Sequence, residues 1–409
     1  MDKVKNVPDI RFEGFENEWE DTSLGMVASE YGYGLCVESK KFDGLNKYLR
    51  ITDIDDRSRK FSKLDLKSPK FRGKTNNRYI LNEGDIVFAR TGASTGKTYL
   101  YDKQDGIVYF AGFLVRAKVN RNNSSQFVFY KTLSNDFNKF IKDTSQRSGQ
   151  PGINAEEYKS FIFKKTSFNE QTKIGDFFKN LDEKLELEKE KHQKLVNFKK
   201  AMLDDMFPKE GEKVPKVRFE GFDDEWSTDQ LRNILSYSNG MSYENEVCTN
   251  GRYELINLNS VSIDGGLKLS GKYIDNTFKT LSKNDLVMIL SDVAHGNLLG
   301  RVALIPENNK YVLNQRVASL SLISNHNPHF LLYFINSKQQ YFKKKGAGSS
   351  QLNISRNTVE KFLINFPTLE EQILIGNFFK NLDEKIEISE KRIGKIENFK
   401  KAMLDKMFV

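Results

Sequence analysis

Cysteine and histidine are scarce in this chain, and that scarcity excludes several classes of protein. Of 409 residues, only Cys36 and Cys248 are cysteines. Two thiols cannot build a disulfide framework or a thiolate-rich zinc centre. The four histidines, His192, His295, His326 and His329, are too scattered to suggest a zinc site. No apolar run approaches the ~18 residues that span a bilayer, and the N-terminus carries no apolar leader, so a membrane or secreted chain is not expected. Catalytic motifs are missing as well. Arg90–Thr98 reads RTGASTGKT, but a P-loop needs four residues between its glycines and Gly92 to Gly96 encloses three. No glycine fingerprint for a dinucleotide or S-adenosylmethionine fold follows a clear leading strand. The acidic pairs Asp55–Asp56 and Glu156–Glu157 would face opposite ways on a strand. Nothing repeated supplies a nuclease-like acid–acid–lysine set. Catalysis by this chain is not expected.

Charge and aromatic residues, by contrast, are plentiful. Lys and Arg number 64 against 55 Asp and Glu, a net +9, and Phe and Tyr number 31 and 16. The positive charge is unevenly placed. Residues 21–165 hold 26 basic against 16 acidic side chains, and residues 227–367 hold 15 against 10. Such positive charge, here in two separate blocks, permits a nucleic-acid or a membrane partner. The length predicts two or three domains.

An internal repeat decides how those domains are organised. VPDIRFEGFENEWE at Val7–Glu20 and VPKVRFEGFDDEWS at Val214–Ser227 agree at nine of 14 positions, offset by 207. Glu170–Phe207 and Glu371–Phe408 agree at 24 of 38, offset by 201. Each half therefore has a short head, a globular block of about 145 residues and a long closing helix. The blocks between match only loosely, LNEGDIVF at Leu81–Phe88 with LSKNDLVM at Leu281–Met288, and SGQPGIN at Ser148–Asn154 with SSQLNIS at Ser349–Ser355. A constant frame carrying two different binding surfaces is the reading; a drifted duplication is the alternative.

The closing segments read as helices of ~30–35 residues, roughly 50 Å long. Phe178, Leu181, Leu185, Leu195 and Met202 form an apolar stripe in the first, and Phe379, Leu382, Ile386, Ile393, Ile396 and Met403 in the second. Neither contains proline, and each needs a packing partner. Asp85–Ala89, Ile107–Val119, Leu255–Leu258 and Val312–Ile323 read as strands, and Phe127–Ile141 and Pro328–Phe342 as amphipathic helices. The fold class is α+β: residues 1–169 and 208–369 as two globular domains with their heads, residues 170–207 and 370–409 as helices between and after them.

Candidate DNA contacts follow from side-chain chemistry. Arg and Lys reach guanine edges and phosphates, and Asn pairs with adenine. In the first block these are Lys40, Lys41, Arg57, Arg59, Lys60, Arg72, Lys74 and Arg78, with Arg90, Thr91, Ser94 and Lys97 in the glycine-rich turn. In the second they are Arg252, Asn257, Asn259, Lys268, Lys272, His295, Asn297, Arg301 and Arg316, followed by Lys343–Lys345. Taken singly, such residues are ordinary solvated surface, and a purely structural turn is the alternative at residues 90–98.

The chain resembles the specificity subunit of type I restriction–modification systems. The resemblance rests on RFEGFENEW at Arg11–Trp19 with its copy RFEGFDDEW at Arg218–Trp226, on NEQTKIGDFFKNLDEKL at Asn169–Leu185 with EEQILIGNFFKNLDEKI at Glu370–Ile386, and on NFKKAML at Asn197–Leu203 and Asn398–Leu404. It covers essentially the whole chain. It implies two target-recognition domains, residues 21–165 and 227–367, each reading one half of a split duplex DNA sequence through the major groove. It implies that the two helices pack antiparallel, set the gap, and carry two methyltransferase subunits, which support motor–nuclease subunits. The stripe residues would then be assembly residues. TGASTG at Thr91–Gly96 matches a recurrent loop of such domains, whereas SDVAHG at Ser291–Gly296 departs from it. S-adenosylmethionine, ATP and Mg2+ would belong to the partners, none to this chain, and the expected location is the cytoplasm of a bacterium or archaeon, on the nucleoid when DNA is bound. A two-domain DNA-binding regulator without methyltransferase partners, or a coiled-coil adaptor contacting proteins, are the other readings.

Overall fold

A computed structural model describes residues 6–71, 77–146, 149–243, 245–277, 279–293, 296–348 and 351–409. The chain divides into two units: residues 1–190 with 391–409, and residues 191–390. The boundaries cut both long helices, Phe168–Asp205 and Leu369–Met407, so each unit owns a segment of both.

In the first unit a four-stranded antiparallel sheet runs in the order Ala28–Tyr33, Leu114–Val119, Asp85–Ala89, Thr98–Leu100. The sequence DIVFA explains the central strand. All five residues are buried, and alternate side chains serve two cores, because successive residues of a strand point to opposite faces. Ile86 and Phe88 join Trp19, Phe127, Phe137, Tyr158 and Phe178 in the larger core, while Val87 and Ala89 join Leu49, Tyr99 and Phe110 in the smaller. Burial of such side chains stabilises the unit by about 1.5–3 kcal/mol each. Lys47–Leu49 lies parallel to Val108–Phe110, and Ser39–Lys41 pairs with Lys67–Pro69 at the rim.

The second unit repeats this order with Leu235–Asn239, Val317–Leu322, Leu286–Ile289 and Val302–Leu304. Leu286 and Met288 face one core and Val287 and Ile289 the other. The parallel pair recurs as Tyr253–Ile256 with Tyr311–Leu313. Loosely matching sequences have therefore kept one topology, held by burial pattern rather than by identity.

Two expected helices are each broken in two. Residues 127–141 form Ser125–Lys131 and Asn135–Thr144, because the Ser134 hydroxyl caps the second piece by accepting from the Phe137 N–H. Residues 328–342 form Pro328–Ser337 and Gln339–Lys345, divided at Lys338.

Head and frame join alike in both units. Strand Glu20–Ser23 pairs with Ile162–Lys165, and Ser227–Gln230 with Leu363–Phe366, so each block is stitched shut where it leaves the frame. The Arg11 guanidinium donates to both oxygens of buried Glu170 at 2.7 and 2.8 Å, and Arg218 does the same to buried Glu371 at 2.8 and 2.9 Å. The Ile10 N–H donates to the Lys406 carbonyl at 3.0 Å, and the Val217 N–H to that of Asp205 at 2.9 Å.

Within each unit the helix segments run antiparallel. In the first, Phe178 stacks on Phe408 at 5.8 Å and Lys189 pairs with Glu397 at 2.7 Å. In the second, Phe379 stacks on Phe207 at 5.7 Å and Lys199 pairs with Asp383. The stripe expected to serve assembly is mostly spent inside the chain. Phe178, Phe379 and Leu382 are buried in the unit cores, and Leu181, Met202 and Met403 pack against those cores. Leu185, Leu195, Ile386, Ile393 and Ile396 are half-buried. Among the apolar residues the frame leaves exposed are Phe198 at 46% and Phe399 at 47%, with Leu187 and Ile388 exposed to about the same degree.

Candidate nucleic-acid interface

Two motifs that lie far apart in the sequence meet at one end of each sheet. In the first unit the turn after Asp85–Ala89 runs against residues 151–153. The Gly92 N–H donates to the Pro151 carbonyl at 2.9 Å, the Ile153 N–H to the Arg90 carbonyl at 2.9 Å, and Thr91 bridges to Gly152. In the second unit Ser291–Asp292 pairs with Leu352–Asn353, and the Ile354 N–H donates to the Leu290 carbonyl at 3.0 Å. Residues 151–153 and 352–354, from the loosely matching segments, thus brace the two glycine-bearing loops.

The 90–98 turn is not a phosphate cradle. Its amides are used internally: Gly96 N–H donates to the Ala89 carbonyl and the Tyr158 hydroxyl, Thr95 N–H to the Gly92 carbonyl, and Lys97 N–H to that of Ser94. Gly92 and Gly96 have φ of +71° and +87°, and a Cβ at Gly96 would lie 2.7 Å from Ile141. Glycine is therefore required there for the turn itself. What faces outward is side-chain chemistry. Arg90 stacks on the ring of Tyr33 at 4.8 Å, and Thr91 and Ser94 are half-buried beside it. Exposed Tyr33, Phe113 and Gln150 sit on the same bracing elements. Sequence reading passed over Tyr33 and Phe113; the available signal was a large aromatic next to a turn.

The remaining candidates fall into three groups. Lys40, Lys41, Arg57, Arg78, Arg252, Asn259, Lys268, Lys272, Asn297 and Arg316 are exposed. Arg78 lies over Tyr79 at 4.6 Å and Arg252 over Tyr253 at 5.2 Å, arrangements that hold a guanidinium flat and outward. Lys40 leans on Asp43 at 3.5 Å, and Asn297 accepts a hydrogen bond from Lys343 at 2.9 Å.

A second group already has partners or burial within the chain. Lys97 pairs with Asp56 at 2.5 Å, with its side chain 17% exposed. Lys60 pairs with Glu186 of the central helix at 3.2 Å. Arg59 has φ +57° and is largely desolvated, which pushes its guanidinium pKa down. Arg301 is pushed down for the same reason and donates to the Asn336 carbonyl at 2.8 Å, tying Val302–Leu304 to the neighbouring helix. Asn257 is a cap, accepting from the Asn259 N–H at 2.8 Å. The third group, Arg72, Lys74 and His295, lies outside the described residues.

Two copies of one α+β sheet module, each presenting basic, aromatic and amide side chains beside a braced loop on a repeated helical frame, define a duplicated DNA-recognition protein. The chain belongs to the type I restriction–modification DNA specificity family, whose model matches residues 17–197 and 223–398. Over 350 residues, 82% of this chain and 81% of the relative, it is 23% identical to the type I restriction enzyme MjaVIII specificity subunit of Methanocaldococcus jannaschii. It is 22% identical to the putative MjaX specificity subunit of the same organism, over 98% of this chain and 96% of that one. The crystal structure of a type I restriction–modification S subunit from M. genitalium has the same fold, with a TM-score of 0.63 at 14% identity, covering 98% and 99% of the two chains. The protein is a sequence-specific DNA-binding specificity subunit. It has no catalytic chemistry of its own and works with methyltransferase and restriction subunits. Among the described residues, no helix is long and apolar enough to cross a membrane.

Proposed function

We propose that the two units read the two halves of a split DNA target, one each, and that the repeated helices fix the gap between them. The observation that carries this is the repetition of the sheet, its two cores and its braced loop in both units, while the residues on the exposed face differ. Sequence would be read by Arg90, Tyr33 and Arg78 in the first unit and by Asn297, Arg316 and Asn259 in the second. Lys40, Lys41, Arg57, Arg252, Lys268 and Lys272 would hold phosphates.

Two methyltransferase subunits would dock on the frame, one per unit, at two matching aromatic clusters. Phe12, Phe177 and Phe399 form the first, with ring separations of 6.0 and 6.3 Å; Phe219, Phe378 and Phe198 form the second, at 6.1 and 6.2 Å. The same residue types recur at the repeat offsets with nearly the same exposure, which suits one partner species bound twice. The partners would bring S-adenosylmethionine, ATP and Mg2+, and the assembly would act on the nucleoid in the cytoplasm.

The test is to map methylated bases in cells that carry the complete system. Two short specified half-sites around unspecified bases are expected. A single continuous motif would refute the one-unit, one-half-site assignment.

A further inference from the structure

The second unit carries a basic pocket that neither the repeat nor the recognition loop explains. It encloses about 640 Å³ and is lined by five lysines, Lys209, Lys338, Lys344, Lys345 and Lys361, against one carboxylate, Glu210. Its apolar wall comes from Phe334, Tyr341 and Phe362. Among the described residues none of the five lysines is in an ion pair. Lys338 is mostly desolvated and its Nζ donates to the Pro208 carbonyl at 2.5 Å. The first unit neutralises the corresponding place. There buried Lys131 donates to the Val409 carbonyl at 2.7 Å but also pairs with Asp136 at 2.6 Å. In the second unit a lysine from a different position, Lys338, reaches the equivalent carbonyl; Asp204, Glu210 and Glu212 lie near it without an ion pair, and further lysines surround the pocket.

We propose that this pocket binds a backbone phosphate of duplex DNA flanking the half-site read by the second unit. The inference rests on the reading that loop residues 296–300 face DNA. The pocket is continuous with that loop through one short helix, Gln339–Lys345. On one side of the helix, Gln339 donates to the Gly296 carbonyl at 2.8 Å and Lys343 to the Asn297 amide oxygen at 2.9 Å. On the other side, Lys344 and Lys345 open into the pocket. A seven-residue helix is about 10 Å long, which is ~3 base pairs at 3.4 Å each. A duplex lying on the loop therefore brings phosphates within reach of these side chains. The donors also suit a polymer. They are all flexible point charges, with no arginine fork and no converging backbone amides, so they tolerate a backbone whose sequence varies. The contact adds affinity without sequence information, and only on one side of the target.

The experiment uses the complex with its methyltransferase partner, wild type and K344Q/K345Q/K361Q, and fluorescence anisotropy over a salt series. Duplexes extend about ten base pairs beyond one half-site or the other. With the flank beside the second half-site, the variant should bind about ten-fold or more weaker at moderate salt, and the log–log salt slope should fall by about 2. The cognate-to-random affinity ratio should not change, and with the flank on the other side the variant should match wild type. Equal slopes for variant and wild type on both duplexes would overturn the pocket while leaving the loop reading intact. A wild-type complex with no cognate preference would overturn the loop reading, and the pocket proposal with it. Inorganic phosphate and heparin serve as competitors. Competition by millimolar phosphate as strong as that by heparin would mark a free-anion site and refute the DNA assignment. Unchanged DNA binding together with loss of the methyltransferase in pull-down would assign the pocket to an acidic protein segment and refute it too.

Discussion

Removing Arg11 should cost far more than removing Arg11 and Glu170 together. Glu170 is fully buried and its two oxygens accept the Arg11 guanidinium, with the Thr166 hydroxyl as a further donor. Arg11 is only 14% exposed, and its pKa is raised chiefly by the hydrogen bond to Glu170, which outweighs desolvation. R11M leaves a buried carboxylate with a hydroxyl where it had a bidentate cation. That costs about 3–5 kcal/mol, whereas replacing both partners by apolar groups of similar volume is close to neutral. With a urea slope of about 2 kcal/mol per molar, the single variant should move the midpoint down by roughly 1.5–2.5 M. R11M/E170M should recover most of that shift.

The chain supplies its own probe. It has two tryptophans, Trp19 in the first unit and Trp226 in the second, both buried at the same place in the repeat. In a W226F background, Trp19 emission follows the first unit alone. In a W19F background, Trp226 follows the second, where R218M and R218M/E371M should reproduce the pattern. If the single and double variants shift the midpoint equally, the loss is of arginine packing and the orphaned-carboxylate argument is wrong.

Three further outcomes follow from the same contacts. Burial lowers the pKa of His326 and of His329 below 6.5, so the unfolded chain binds protons that the folded unit refuses; stability of the second unit should fall as pH drops through 6.5, and Trp226 should report an earlier midpoint at pH 5.5 than at 7.5 while Trp19 does not. Serine at both Phe198 and Phe399 should weaken methyltransferase capture about ten-fold or more, with no change in either tryptophan transition; intact capture would remove the aromatic clusters from the docking surface. Grafting a relative's block over residues 21–165 should change one half-site only, and simultaneous change of both half-sites in the methylation map would show that the units are coupled.

The frame was legible in the sequence because it is a local signal. The apolar stripe, the absence of proline and the 24 identical positions all point to the same two helices. What the stripe packs against was not legible. Periodicity says that Phe178 is buried, not that its neighbours are Tyr130 and Phe408. The sheet order was hidden for the same reason, since strand neighbours such as Leu114–Val119 and Ala28–Tyr33 are set by long-range burial. Charge clusters were legible as composition, but pairing is decided at a distance. Lys60 finds Glu186 and Lys97 finds Asp56, and neither partner is suggested by spacing.

One joint shows how a constant frame can carry blocks that have diverged. Tyr130 donates to Asp182 at 2.8 Å, and Lys400 from the antiparallel helix donates to the same carboxylate at 2.5 Å while lying 5.4 Å from the tyrosine ring. In the second unit Tyr333 donates to Asp383 at 2.6 Å, and Lys199 pairs with Asp383 and lies 5.6 Å from that ring. Asp and Lys come from the repeated helices; only the tyrosine comes from the variable block. Burial first, and then the carboxylate, pushes both phenols up, so the hydroxyl stays a donor across the whole working pH range. A block therefore has to supply little to be accepted: the closing strand pair, a helix that seats its tyrosine, and aromatic filling such as Phe127 or Phe330 beneath the head tryptophan. Everything beyond those positions, including the exposed end of the sheet and its braced loop, is free to change without disturbing the joint. Divergence of the reading face and constancy of the frame are then compatible, because this joint rests on residues that do not face outward.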